Sequence, residues 1–179
     1  IDKYRFLQEI YNPFNDLFNA PILPYVISQG CQYQCSFCSS GRSRLSVKTP
    51  KQIVNDLAML KERYQCSYFY FLGQHISISE DFINELCDRL IEAKLDILWT
   101  DCIKPLRYLS KTTFRKLRQA GCIGLTFGIE TGSEKIMRLM KKGHTVLDCQ
   151  NCIRYANDAG IFTTIKIVIG FQGEKKSEF

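Results

Sequence analysis

The chain has 179 residues, of which 45% are hydrophobic, so it is long enough for one globular domain with a buried core. Its 24 basic and 18 acidic residues give a net charge of +6, and the basic residues are spread along predicted helices. This pattern does not predict a nucleic-acid-binding patch. No apolar run reaches the roughly 18 residues of a membrane-spanning helix.

Short β-rich segments alternate with helical periods along the chain. Residues 1–24 contain several prolines, which predict an irregular lead-in or linker segment. Strands are predicted at 25–28, 67–72, 96–100, 122–129 and 161–169. Helices are predicted to begin after the N-cap residues Thr49, Ser79, Ser110, Ser133 and Thr145. This alternation predicts an α/β fold of parallel βαβ units, and periodicity alone does not distinguish a barrel from an open doubly wound sheet.

Three closely spaced cysteines follow the first predicted strand. Cys31, Cys35 and Cys38 have the spacing C-x3-C-x2-C, with Phe37 directly before the last cysteine. Thiolates are the ligands that hold iron–sulfur clusters. Three of them would occupy three corners of a four-iron cluster and leave one iron without a protein ligand.

A zinc site is the alternative interpretation of these cysteines. Structural zinc requires four ligands, and His75, His144 or one of the six other cysteines would have to supply the fourth. The odd number of cysteines and the absence of a secretory signal predict free thiols, which suit a reducing cytoplasm. Six cysteines are predicted to lie in the core: Cys66, Cys87, Cys102, Cys122, Cys149 and Cys152.

The motif C-x3-C-x-aromatic-C resembles the cluster loop of the radical S-adenosylmethionine (radical SAM) superfamily. The resemblance implies that residues 25–179 form a partial (β/α) barrel of parallel strands, truncated after about the fifth strand, with an uncovered last edge. It implies a [4Fe–4S] cluster held by the three cysteines and S-adenosylmethionine on the open iron. The activity implied is reductive cleavage of S-adenosylmethionine to a 5'-deoxyadenosyl radical that acts on an unknown substrate, with electrons from flavodoxin or ferredoxin.

The resemblance also implies cofactor contacts at the ends of several strands. Phe37 would pack near the adenine, and Glu130 would contact the ribose or the amino group of the cofactor. Gly170 lies in a Gly-Phe-Gln-Gly-Glu run similar to the turn whose backbone approaches the adenine. Gly73 and Gln74 end the second strand as in tRNA methylthiotransferases, although Gln74 brings no negative charge.

Lys166 is a candidate catalytic residue because it lies within an isoleucine-rich predicted strand. Strand alternation places it on the face opposite the isoleucines. It would then either meet an anionic substrate group in the barrel lumen or form a salt bridge to Glu130. Lys104 stands where the similar third-strand segment usually has arginine, so it keeps the charge without the bidentate fork.

Residues 128–143 resemble the radical SAM branch that is often fused to cobalamin-binding domains. The resemblance therefore implies cobalamin as a further cofactor, bound by a domain outside this chain. Two other functions stay open at this point. The chain would be a zinc-binding structural module, or a barrel that keeps its cluster without turnover and serves as a scaffold or electron carrier.

Overall fold

The computed structural model describes residues 22–41 and 43–178. A five-stranded parallel sheet has the order β1-β4-β5-β6-β7, and β2 and β3 form a separate two-stranded antiparallel ribbon. The strands are β1 (Ile22–Val26), β2 (Ser28–Gln29), β3 (Ser46–Val47), β4 (Tyr68–Leu72), β5 (Leu98–Ile103), β6 (Cys122–Glu130) and β7 (Phe162–Ile167). The helices are α1 (Pro50–Tyr64), α2 (Glu80–Ala93), α3 (Lys111–Gln119), α4 (Glu134–Leu139) and α5 (Val146–Asp158), followed by a short 3-10 helix at Lys176–Glu178.

Within these described ranges the sheet stays open, with β1 and β7 as its two edge strands. Every pair in the five-stranded sheet is parallel, because each strand returns to the same end of the sheet through a helix. This architecture confirms the predicted α/β fold of a partial barrel. No described helix combines the length and the apolar composition that crossing a membrane would require.

The predicted helix starts are confirmed. Each helix is preceded by a serine or threonine whose side chain accepts a hydrogen bond from the backbone N–H three residues later, which satisfies a donor that the helix itself leaves unpaired. These N-cap residues are Thr49, Ser79, Ser110, Ser133 and Thr145.

The core lies between the sheet and its helices. Phe71 of β4 stacks on Trp99 of β5 with ring centroids 4.7 Å apart, and Phe127 of β6 stacks on Phe114 of α3 at 6.4 Å. All four rings are almost completely buried. The helix-facing side of β4, β5 and β6 is therefore closed by aromatic packing.

The strand boundaries differ most from the prediction at the first, third and fifth predicted strands, and the fifth, β7, ends at Ile167 rather than at residue 169. The first strand begins at Ile22, so residues 22–24 are not irregular, while residues 1–21 of the predicted lead-in lie outside the described residues. Pro24 is compatible with this strand because β1 is an edge strand, where a missing N–H is tolerated. The third predicted strand lies at Leu98–Ile103, two residues later than expected.

The last strand of the sheet leaves its apolar side chains exposed. Phe162, Ile165 and Ile167 are 71%, 44% and 64% exposed. Among the described residues β7 is an edge strand, so the uncovered last edge that the resemblance implies is present there.

Candidate cluster and cofactor site

The cysteine loop, residues 31–41, begins at the C-terminal end of the sheet, directly after β1 and the short strand β2. The turn into the loop requires glycine. Gly30 has a φ of +77°, and a Cβ atom there would overlap the carbonyl oxygen of Arg44. The sequence thereby directs the loop toward the end of the sheet where barrel enzymes place their active sites.

Hydrogen bonds fasten the cysteine loop to segments that follow two other strands. The Ser36 backbone N–H donates to the Met140 carbonyl at 2.9 Å, and the Ser36 hydroxyl donates to the Leu139 carbonyl at 3.1 Å. The Gln32 side-chain amide donates to the Ile78 carbonyl at 2.9 Å. The loop is therefore held against the residues after β4 and the end of α4.

Two of the three loop thiols contact basic side chains. The Cys31 sulfur lies 3.8 Å from Nε2 of His75, and the Cys35 sulfur lies 3.9 Å from Nζ of Lys104. Cys35 and Cys38 also line a cavity of about 350 Å³ beside Lys141. All three are free thiols and partly exposed, and Cys35 and Cys38 are accessible to a metal centre from this cavity.

Lys104 is buried without an acidic partner. Only 5% of the residue is exposed, and its ammonium group lies 4.0 Å above the centre of the Tyr33 ring. Among the described residues no carboxylate forms an ion pair with it. Burial lowers the pKa of Lys104, and the electrostatic interaction with Cys35 opposes that shift.

Two buried histidines, His75 and His144, lie near Lys104 and Lys142, and their surroundings favour the neutral imidazole. Burial lowers the pKa of His75 to about 4, and the charges of Lys104 and Lys142 add to the effect. The same three causes lower the pKa of His144 to about 3. Nδ1 of His75 and both ring nitrogens of His144 are buried without a hydrogen-bond partner. Such atoms are costly to bury, so their grouping here is typical of a site that another molecule completes.

The donor set fits an iron–sulfur cluster better than a single metal ion. Three free thiols on one loop match the ligand chemistry of such clusters. Within the described ranges, no three Cys, His, Asp or Glu side chains lie close enough together to hold one ion. Structural zinc requires four grouped ligands, whereas a four-iron cluster can be held by the three thiols of this loop, so the donor set favours the cluster.

Glu130 ends β6 in a strained conformation. Its φ is +70°, which is rare for a residue with a side chain, and the β6–β7 register shifts at the same point. Its carboxylate accepts a hydrogen bond from the Lys142 ammonium at 3.3 Å, and both side chains are largely buried. The Lys142 ammonium also lies 5.6 Å from the centre of the Phe37 ring in the cysteine loop, and the predicted contact of Glu130 with the cofactor stays a prediction.

The other predicted cofactor residues also lie at this end of the sheet. A Cβ atom at Gly73 would lie 2.5 Å from the buried Ser28 hydroxyl, so the segment after β4 approaches β2 at a distance that only glycine permits. Gln74 is exposed. Phe37 meets Phe171 edge to face at 6.4 Å, which brings the cysteine loop next to the turn at Gly170. Their cofactor roles stay predictions, although the fold brings these segments together.

Lys166 does not pair with Glu130. Its ammonium group donates to the Cys102 sulfur at 3.7 Å, while Glu130 pairs with Lys142. The salt-bridge alternative for Lys166 is therefore wrong, and its catalytic role stays a prediction. The prediction that Cys102 belongs to the core is also wrong, because strand alternation turns it away from the buried Trp99.

Two residues of this site were not identified from the sequence. Tyr33 lies between the first two loop cysteines, where its position gives a weak hint, and its ring contacts both Lys104 and His75. Lys142 belongs to a basic run that resembles an exposed helix end. Its burial depends on the distant Glu130, which periodicity does not reveal.

Comparison with known proteins identifies the family. The profile of the radical SAM superfamily matches residues 25–179. The chain belongs to the radical SAM superfamily. Radical SAM proteins use a [4Fe–4S] cluster together with S-adenosylmethionine, so these two cofactors are those of the family.

Three similar proteins illustrate the range of this radical SAM chain's relatives. An uncharacterised methyltransferase of Pyrococcus horikoshii is 25% identical over 91% of the chain and 37% of its own length. A tRNA-2-methylthio-N(6)-dimethylallyladenosine synthase of Idiomarina loihiensis is 28% identical over 86% and 35%. The radical S-adenosylmethionine methyltransferase TsrM of Kitasatospora setae, solved with cobalamin and a [4Fe–4S] cluster, has a TM-score of 0.78 at 16% identity, covering 89% of this chain and 33% of its own.

The radical SAM chain thus spans little more than a third of the length of these two curated relatives. The likeness to TsrM concerns the fold, because sequence identity is low.

Proposed function

We propose that this chain is the core of a radical SAM enzyme in which Cys31, Cys35 and Cys38 hold a [4Fe–4S] cluster. One observation carries the proposal. Three free thiols of a single loop lie at the C-terminal end of a parallel sheet, and one of them contacts the buried Lys104, whose charge finds no carboxylate in the described part of the chain. Thiolates bound to iron would supply that missing negative charge.

A cluster held by these cysteines would supply one electron for the reductive cleavage of S-adenosylmethionine to methionine and a 5'-deoxyadenosyl radical, which would act on an unknown substrate. The chain's own residues hold and shield this chemistry. Phe37 and Phe171 form an aromatic contact that would flank the adenine. The Glu130–Lys142 pair offers a carboxylate and an ammonium group for the polar atoms of the cofactor.

The substrate and the flanking domains belong to the same proposal. The relatives include proteins named as a methyltransferase and as a tRNA methylthio-synthase, and we assign neither substrate to this chain. The cobalamin in TsrM supports a cobalamin-binding domain elsewhere in the whole protein. A flavodoxin or ferredoxin would supply electrons, and nine free thiols suit a reducing compartment such as the cytoplasm.

Anaerobic reconstitution of the full-length protein with iron and sulfide tests cluster binding. We expect a brown protein with broad visible absorbance and about four irons per chain, because the three cysteines together hold one four-iron cluster. Replacing Cys31, Cys35 and Cys38 together by alanine should abolish iron uptake. The matched control Cys66→Ala removes a buried thiol outside the loop and should leave uptake unchanged.

Full iron loading of the triple variant, or zinc in place of iron in freshly purified protein, would contradict the proposal. Turnover is tested separately by incubating the reduced holoprotein with S-adenosylmethionine and measuring 5'-deoxyadenosine. A protein that carries its cluster and releases no 5'-deoxyadenosine under strong reduction would instead be a scaffold or electron carrier.

A further inference from the structure

The only buried cation of the site without a carboxylate partner among the described residues is Lys104. Lys142 is equally buried, yet Glu130 neutralises it at 3.3 Å. A buried ammonium group is stable only when a negative charge or good acceptors compensate its lost hydration. The Lys104 ammonium contacts the Cys35 sulfur at 3.9 Å and the Tyr33 ring at 4.0 Å, and the neutral His75 and His144 and the paired Lys142 lie near it.

Tyr33 organises two neighbours of the cysteines at once. Its ring carries the Lys104 ammonium on its face, in the geometry of a cation–π interaction. The same ring packs against His75 with centroids 5.3 Å apart. Its backbone N–H donates to the Cys31 sulfur at 3.5 Å. The loop therefore carries the aromatic platform that positions a charge near Cys35 and an imidazole near Cys31.

We propose that Lys104, positioned on the Tyr33 ring, raises the reduction potential of the cluster held by the cysteine loop, and that His75 acts in the same direction through Cys31. The inference rests on the proposed function, since it requires the cluster. Reduction adds negative charge to the cluster, and an uncompensated ammonium group 3.9 Å from one ligand sulfur stabilises that charge. A hydrogen bond from Nε2 of His75 to the Cys31 sulfur would favour the reduced form for the same reason.

The two lysines of the site are expected to differ in this respect. The field of Lys142 at the cluster is largely cancelled by the Glu130 carboxylate, whereas the field of Lys104 is not. The potential should therefore depend on Lys104 in particular and not on positive charge in general.

The test is an anaerobic redox titration of the reconstituted full-length protein, followed by EPR of the reduced cluster. It is done without S-adenosylmethionine, so that contacts with that cofactor do not contribute. Lys104→Met should lower the midpoint potential by the equivalent of about a tenfold change in the reduction equilibrium, which is about 59 mV for one electron. His75→Phe keeps an aromatic ring beside Tyr33 but removes the donor, and should lower the potential by a smaller amount.

Two variants serve as controls. Lys104→Arg keeps the positive charge and should stay close to the wild-type potential. Lys111→Met removes a charge on α3 that is paired with Asp158 at the surface, and solvent screening should leave the potential unchanged.

The outcomes separate this inference from the proposed function. Wild-type protein that takes up no cluster overturns both. A fully loaded Lys104→Met protein with an unchanged midpoint potential, or one that shifts no more than Lys111→Met, overturns the inference alone. If Lys104→Met loses its cluster while Lys104→Arg retains it, the counter-charge role is supported. Loss of the cluster in both overturns it, because arginine retains the charge.

Discussion

On the helix-facing side of the sheet, large apolar side chains fill the buried space, whereas at the C-terminal end of the sheet the buried groups are charged or polar. Trp99 and Phe127 are completely enclosed by other rings and aliphatic side chains. At the strand ends, the two buried histidines keep ring nitrogens without a hydrogen-bond partner, and Lys104 has no carboxylate partner among the described residues. The comparison teaches that the fold completes its core from its own residues, while its strand ends require another molecule for completion.

The largest effect that would test this contrast is expected from the core. Phe127→Ala removes a fully buried ring that stacks on Phe114, and should lower the free energy of unfolding by about 3–5 kcal/mol. The measurement is chemical denaturation of the protein without cofactors. As the matched control, Ile167→Ala on the exposed edge strand β7 should change stability by no more than about 0.5 kcal/mol. If Phe127→Ala and Ile167→Ala lowered the free energy of unfolding equally, the aromatic packing would not be the source of core stability.

The ion pair at the strand ends should respond differently from an ion pair on a helix surface. Glu130→Gln leaves the Lys142 ammonium buried without a carboxylate, and should lower the free energy of unfolding by about 3 kcal/mol. Glu85→Gln breaks the exposed pair with Arg89 on α2 and should cost only about 0.3–0.5 kcal/mol. If Glu130→Gln is as mild as Glu85→Gln, the strand ends are more hydrated than the structure indicates.

Asp101 sharpens the comparison because it is the exception on the helix-facing side. The carboxyl is 1% exposed, and Oδ1 accepts a hydrogen bond from the Cys102 N–H while Oδ2 has no partner. Burial raises the pKa of Asp101 well above its usual range. The folded state therefore binds this proton more tightly than the unfolded state, so stability is full below the usual carboxyl pKa of about 4 and falls as pH rises toward the raised pKa.

Asp101→Asn removes this titration and keeps the side-chain oxygen that faces the Cys102 N–H. As pH rises from about 4 toward the raised pKa of Asp101, the wild type should lose stability and the variant should not. The difference between their free energies of unfolding should grow by up to about 1.4 kcal/mol per pH unit. The measurement is a series of denaturation curves between about pH 5 and pH 8, roughly the range in which native proteins are most stable. Parallel pH profiles for the two proteins would show that Asp101 is ionised when folded.

The sequence predicts local features well and long-range pairing poorly. All five N-caps are correct, because a serine or threonine hydroxyl satisfies a backbone donor only three residues away. The parallel direction of the strands also follows from the alternation of strands and helices. By contrast, the β2–β3 ribbon escapes prediction, because each of its strands has only two residues.

The site shows the same division. The position of the cysteine loop at the C-terminal end of the sheet follows from its place after the first strand. The partner of Glu130 does not follow from the sequence pattern. Lys142, which comes shortly after α4, forms the ion pair, and Lys166 on the neighbouring strand does not. The orientation of Cys102 was accessible in principle, since Trp99 and Ile103 mark the opposite face of β5.

The two hydrogen bonds of Ser36 have a consequence for how this region tolerates sequence change. Both acceptors are main-chain carbonyls, at Leu139 and Met140, so the attachment is indifferent to which side chains those positions carry. Substitutions that preserve the helical geometry of α4 would keep both hydrogen bonds of Ser36. A glycine or proline that altered the end of this helix would instead displace the cysteine loop and the Lys142 ammonium together.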